Sequence, residues 1–182
     1  MTERLSLRDF QQNLSSRLTM AQQRESAISL LGVESGDDTL PGGRHWLLDL
    51  TDSGEVVPLP DLAPAPLTQS WFVGMVNIRG TLYGVTDFSA WRGGEPTARN
   101  SQARLLLIGA RHGNNCALLV QRVLGLRSRE HLTADDAAAP LPDSSLDNDW
   151  LGGRFNDGQG MLWTQLRIPA LLKNAGFLNI LR

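Results

Sequence analysis

Apolar residues along this chain recur in two different rhythms. Near the N-terminus Leu7, Phe10, Leu14, Leu18 and Ala21 follow one another at spacings of three and four, with Gln11, Gln12, Ser15, Arg17 and Gln22 on the opposite side. That is the stripe of an amphipathic helix. Ser6, followed three residues later by Asp9, resembles a capping box, and the pattern predicts a helix over residues 5–31. From Arg44 onward the rhythm changes to short β-type runs separated by turn residues. Arg44–Leu50 and Glu55–Leu59 read as strands about a Thr51–Gly54 turn, and Pro58 confines the second to a sheet edge, because proline has no N–H for a ladder. Phe72–Ile78 and Thr81–Phe88 meet at a tight Asn77-Ile-Arg-Gly80 corner, and Trp91–Arg99 reads as loop. Arg104–Ala110 and Cys116–Gln121 form a hairpin, with Val123–Leu126 continuing as strand after a bend. Leu151–Phe155 and Met161–Leu166 form the last hairpin, about an Asn156-Asp-Gly158 turn. Ile168–Ala175 reads as a short C-terminal helix, with Pro169 in its first turn and Gly176 just past its end.

Three stretches fall outside both rhythms. Glu34–Gly43 is rich in glycine and acid and reads as a flexible connector. Pro60–Pro66 is an extended crossing, and Arg127–Asp149 is a polar linker or insertion. The organisation is therefore an N-terminal helix and connector, 1–42, followed by a mainly β domain, 43–182. Roughly eight or nine short strands joined by hairpins suggest antiparallel barrels or a sandwich.

Composition narrows the function more than the fold. A chain of 182 residues buries roughly 70% of its unfolded surface, so it needs no disulfide or metal staple. A net charge of −2 argues against tracking nucleic-acid phosphates. The single cysteine, Cys116, lies in the apolar run CALLV and reads as a buried, inert thiol. No signal-peptide pattern and no apolar run near the ~18 residues of a membrane helix is present, which leads to the expectation of a cytoplasmic protein without direct membrane insertion.

Catalytic and cofactor signatures do not assemble. There is no GxSxG elbow, GxGxxG run or P-loop, and His45, His112 and His131 are scattered without metal-ligand spacing, so neither cofactor nor metal is expected. Asp147-Asn-Asp149 begins like a calcium loop, but Leu151 and Gly158 occupy positions where oxygen ligands belong. An enzyme would need an active site assembled from dispersed residues of a β-barrel.

What remains is the central corner. Gly80 permits backbone angles that strain other residues and leaves the surface beside Arg79 bare. Arg79 is then either a solvated turn residue or a fixed ion-pairing and docking group, as its planar fork favours. Spacing alone leaves both open.

Gly74-Met-Val-Asn-Ile-Arg-Gly80, followed by Val85-Thr-Asp-Phe88, resembles the signature of the CheW family, a GVxNxRG run leading into a strand that ends near an Asp. The resemblance runs from about Gly43 to about Phe177. The N-terminal helix, the Gly43-Arg-His-Trp46 entry, the Trp71-Phe-Val-Gly74 approach and the Gly176-Phe-Leu-Asn179 ending are similar to the branch that serves type IV pilus chemosensory systems. The resemblance implies two small SH3-like antiparallel β-barrels packed around a shared apolar core. It implies a non-catalytic adaptor that couples a methyl-accepting chemoreceptor to a CheA-type histidine kinase, through the kinase's own CheW-like regulatory domain, in control of twitching motility. A purely structural subunit of the pilus apparatus is the other non-enzymatic alternative. In the family a glutamate on the strand before the proline-rich crossing pairs with the motif arginine, and counting back from Asn77 puts Glu55 opposite Arg79. Gly74, Asn77, Ile78, Arg79 and Gly80 are the partner-facing residues that the resemblance carries over, and Asp87 is structural. Pro58, Pro60 and the length of Arg127–Asp149 depart from the family pattern.

Overall fold

A computed structural model describes residues 28–108, 112–135 and 148–182. Strands β1 (Ile28–Glu34), β2 (His45–Asp49), β8 (Arg122–Ser128), β9 (Thr133–Ala134), β10 (Leu151–Asn156) and β11 (Leu162–Leu166) form one sheet in the order β8-β1-β2-β11-β10-β9. The second sheet has the order β3-β6-β7-β5-β4, with β3 (Ser53–Pro58), β4 (Phe72–Ile78), β5 (Thr81–Asp87), β6 (Arg104–Ile108) and β7 (Cys116–Val120). Pro58 does lie on an edge strand, β3. Three short α-helices, α1 (Phe88–Trp91), α2 (Ile168–Leu171) and α3 (Ala175–Leu178), and a 3-10 turn at Arg129–His131 join the strands.

The apolar residues sort into three clusters, which explains why several strands read as unbroken hydrophobic runs. In β6, Leu105 and Leu107 turn into the interior of the second sheet beside Val76, Val85 and Leu119, while Leu106 and Ile108 turn the other way. In β2, Leu47 joins Leu30 and Trp163 inside the first sheet, while Trp46 and Leu48 turn outward. The outward rows meet in a shared core with Phe88, Leu118, Val120, Trp150, Leu166, Ile168 and Phe177. Side chains alternate along a strand, so one covered on both faces must be apolar at every position. The result is two small curved sheets, each with its own interior, packed through a third apolar layer.

Four local expectations change. Ile28–Leu31, expected as the end of the long helix, are strand: β1 pairs with both β2 and β8. The rest of that helix lies outside the described residues. Phe88, expected to finish a strand, opens α1 because the Asp87 carboxylate accepts from the backbone N–H groups of Ser89 and Ala90. The expected linker after Arg127 instead finishes β8, makes a 3-10 turn at Arg129–His131 and adds β9 beside β10. The single C-terminal helix is two, because the Asn174 side chain caps a new start by accepting from Phe177 N at 2.9 Å, which puts Gly176 inside α3. The ladders are not wholly antiparallel either: β2 pairs with β11, and β5 with β7, in parallel. Parallel neighbours need long crossover connections that turn residues do not announce.

Arg92, just past α1, ties the second sheet's helix to the first sheet's connector. Its guanidinium donates to the carbonyls of Ser35 (2.5 Å), Gly43 (2.9 Å) and Pro41 (3.1 Å) and stacks 4.6 Å from the Trp46 ring and 4.9 Å from the Phe88 ring. Burial lowers its pKa to about 10, so it stays charged at neutral pH. The connector expected to be flexible is therefore held at three carbonyls.

Glu34, at the end of β1, is 3% exposed and is held by Arg44 at 2.6 Å and by Arg122. Burial acts to raise its pKa, but the bonds and charge of Arg122 and Arg44 outweigh it, and the carboxyl stays below its ordinary value. A depressed carboxylate contributes stability above its unfolded pKa of about 4.3 and loses it as pH falls through the folded value. Glu34→Gln should therefore flatten the loss of stability below about pH 4.5, measured by denaturant unfolding across pH 3–7. An unchanged acid slope would remove Glu34 from that role.

Candidate functional site

The Asn77–Gly80 corner is a two-residue hairpin. Ile78 pairs with Thr81, leaving Arg79 and Gly80 as the turn, with φ of +51° and +86°. Two successive left-handed residues are the geometry of a type I′ turn, whose twist matches that of the flanking strands. Asn77 fastens it, its Oδ1 accepting from Gly80 N at 2.9 Å. Gly80 adopts this conformation without cost, whereas a left-handed arginine costs of the order of 1 kcal/mol. The turn thus holds at its tip a residue that turn chemistry alone would not select.

Arg79 Nη2 donates to Glu55 Oε1 at 2.9 Å, joining the two residues that the family resemblance paired. Glu55 is on β3 and Arg79 follows β4, the two edge strands of the five-stranded sheet. The ion pair therefore spans the gap between the edges and helps close the sheet on itself. The side chains are 41% and 79% exposed, and such pairs contribute only ~0–1 kcal/mol, so stability alone does not account for it.

The six carried-over residues divide in two. Asn77, Arg79, Gly80 and Glu55 lie on the surface, and an added Cβ at Gly80 would meet nothing within 4 Å. Ile78 is half-buried and packs on the second sheet's interior. Gly74, expected to face a partner, is buried: its φ is +131°, and a Cβ there would stand 2.4 Å from the Ala63 carbonyl oxygen. It shapes the corner by letting the Pro60–Pro66 crossing lie against β4, where Ala63 and Met75 exchange two 2.8 Å backbone hydrogen bonds. Asp87 is 1% exposed and also accepts from Thr97 N (2.7 Å) and Thr97 Oγ1 (2.8 Å), a structural anchor.

One surface residue escaped the sequence reading. Leu82, opposite Asn77 in the hairpin, is 52% exposed and puts an apolar face across from Asn77, three residues beyond Arg79. Strand parity carried the signal: Tyr83 and Val85 pack inward, so Leu82 between Thr81 and Tyr83 must point out. A cation, a carboxylate, an amide and an exposed leucine on a rigid turn suit non-covalent docking. Burial pushes the Cys116 thiol up to about 12, which keeps it protonated and poorly nucleophilic.

Comparison with known proteins places this geometry among relatives. The model of the CheW-like domain matches residues 39–176. Protein PilI of Pseudomonas aeruginosa is 28% identical over 142 residues, 76% of this chain and 75% of that one. The crystal structure of the scaffolding protein TtCheW from Thermoanaerobacter tengcongensis superposes with a TM-score of 0.62 at 17% identity, covering 82% of this chain and 95% of that one.

Proposed function

The chain belongs to the CheW-like domain family, and on that ground we propose that it is a non-catalytic adaptor linking a methyl-accepting chemoreceptor to a CheA-type histidine kinase. The pathway we assign is the one controlling type IV pilus twitching motility, a reading supported by similarity to PilI over three quarters of both chains. The adaptor works in the cytoplasm and is recruited to membrane-associated receptor arrays. Among the described residues no helix is long and apolar enough to cross a membrane. The adaptor body comprises 43–182 together with β1.

The observation that carries the docking role is the Arg79–Glu55 pair on a left-handed turn at 2.9 Å. On binding, Asn77, Arg79, Gly80 and Glu55 present a surface of fixed shape and charge, and Gly74 and Ile78 hold it from behind. Desolvating a charged pair makes its partners' complementarity matter far more than it does in the free protein.

Arg79→Glu should leave the melting temperature nearly unchanged and weaken capture of receptor or kinase by roughly tenfold or more, about 1.4 kcal/mol, in a pull-down with purified partners. Adding Glu55→Arg should restore part of that affinity, because the reversed pair can close again. Undiminished capture by the single charge reversal would overturn the docking role of the corner.

A further inference from the structure

A second surface feature lies on the first sheet, away from the corner. The connector 38–45 and the β10–β11 hairpin line a half-open cavity of about 360 Å³. Two guanidinium groups from distant segments, Arg44 and Arg154, line it, and each keeps a buried Nε that finds no hydrogen-bond partner among the described residues. Arg44 spends one Nη on Glu34, while Arg154 makes no side-chain hydrogen bond or ion pair among the described residues. The Nε atoms are sealed from solvent, so an incoming acceptor would meet the outer ends of the two guanidinium groups, Arg44 being 39% exposed and Arg154 half-buried. Leu40, Met161 and Leu162 supply an apolar wall.

We propose that this cavity binds a small organic monocarboxylate, its carboxylate between Arg44 and Arg154 and its apolar body against Leu40, Met161 and Leu162. The walls are set in advance. Arg92 holds the connector at Pro41 and Gly43, and Thr164 Oγ1 donates to the Gly42 carbonyl at 2.6 Å. Such preorganisation lowers the ordering cost of binding. The volume sits at the small end of ligand pockets, roughly 300–1,000 Å³, and exceeds the need of a bare inorganic anion. Charge selects a monoanion over a polyanion: Asp38 stands exposed at the rim, Glu34 already offsets part of Arg44, and burial lowers the His45 pKa so that it adds no cation at neutral pH. The site stands on its own residues and does not depend on the adaptor reading.

The test is an NMR titration of the full chain with hexanoate, and separately with inorganic phosphate. Hexanoate should shift the amides of Gly42–His45 and Arg154–Leu162 saturably, and phosphate should bind about tenfold more weakly. Arg154→Met should weaken hexanoate by about tenfold or more, the scale of one charged hydrogen bond. Leu162→Asn, at a partly exposed position that leaves both arginines in place, should weaken it several-fold without affecting phosphate. The proposal fails if no saturable shift appears by about 20 mM, if phosphate matches hexanoate, or if folded Arg154→Met binds as the parent does.

Discussion

Trp46→Ala should destabilise the protein by about 3–5 kcal/mol and lower its melting temperature by roughly 6–20 °C, read by calorimetry. Trp46 is fully buried where the two sheets meet, edge-on to Phe88 at 5.1 Å and stacked on Trp150 at 5.8 Å. Truncation removes a large apolar surface and leaves a cavity that three separate segments would have to collapse to fill. It also removes one of the two rings under Arg92, whose buried charge would then rest on the Phe88 ring and four carbonyls. The effects of Trp46→Ala and Arg92→Met should therefore be non-additive, as expected for residues that share contacts. A loss below about 1.5 kcal/mol would mean that the shared layer is not what joins the sheets.

The parts of this fold legible in sequence were those fixed by neighbours along the chain. The bounds of β4, the Asn77–Gly80 turn and the β10–β11 hairpin depend on alternation and on Asn, Asp and Gly within a few residues, and all three stood out. What stayed hidden depends on distant partners. β1 carried over from a helical stripe because what makes it a strand is pairing with Asp49 on one side and Arg127 on the other. Arg92 gave no signal, since three of its four acceptors are backbone carbonyls 49 to 57 positions earlier, which no side chain marks. Glu55 lies 24 positions from Arg79 and became visible only through the family pattern. The inward placement of Ile78 could have been read: Val76 and Ile78 share one face of β4 by parity, while Met75 and Asn77 share the other.

Gly74→Ala should cost about 3–5 kcal/mol, measured by denaturant unfolding, although it adds a single methyl group. At φ +131° an alanine is strained by about 1–3 kcal/mol. Its Cβ would also meet the Ala63 oxygen at 2.4 Å, a backbone atom that cannot swing aside as a side-chain tip would. Relief requires the crossing to lift from β4, giving up the two Ala63–Met75 hydrogen bonds at about 1 kcal/mol each. Because β4 ends in the turn that holds Arg79 against Glu55, the same displacement disturbs the docking surface from behind. Gly74→Ala should therefore lose stability and partner capture together, the capture staying impaired even when assayed well below its melting point. Arg79→Glu should lose capture alone. If Gly74→Ala kept full stability and still failed to capture its partner, the glycine would be touching that partner directly, and its burial against Ala63 would be incidental to the corner.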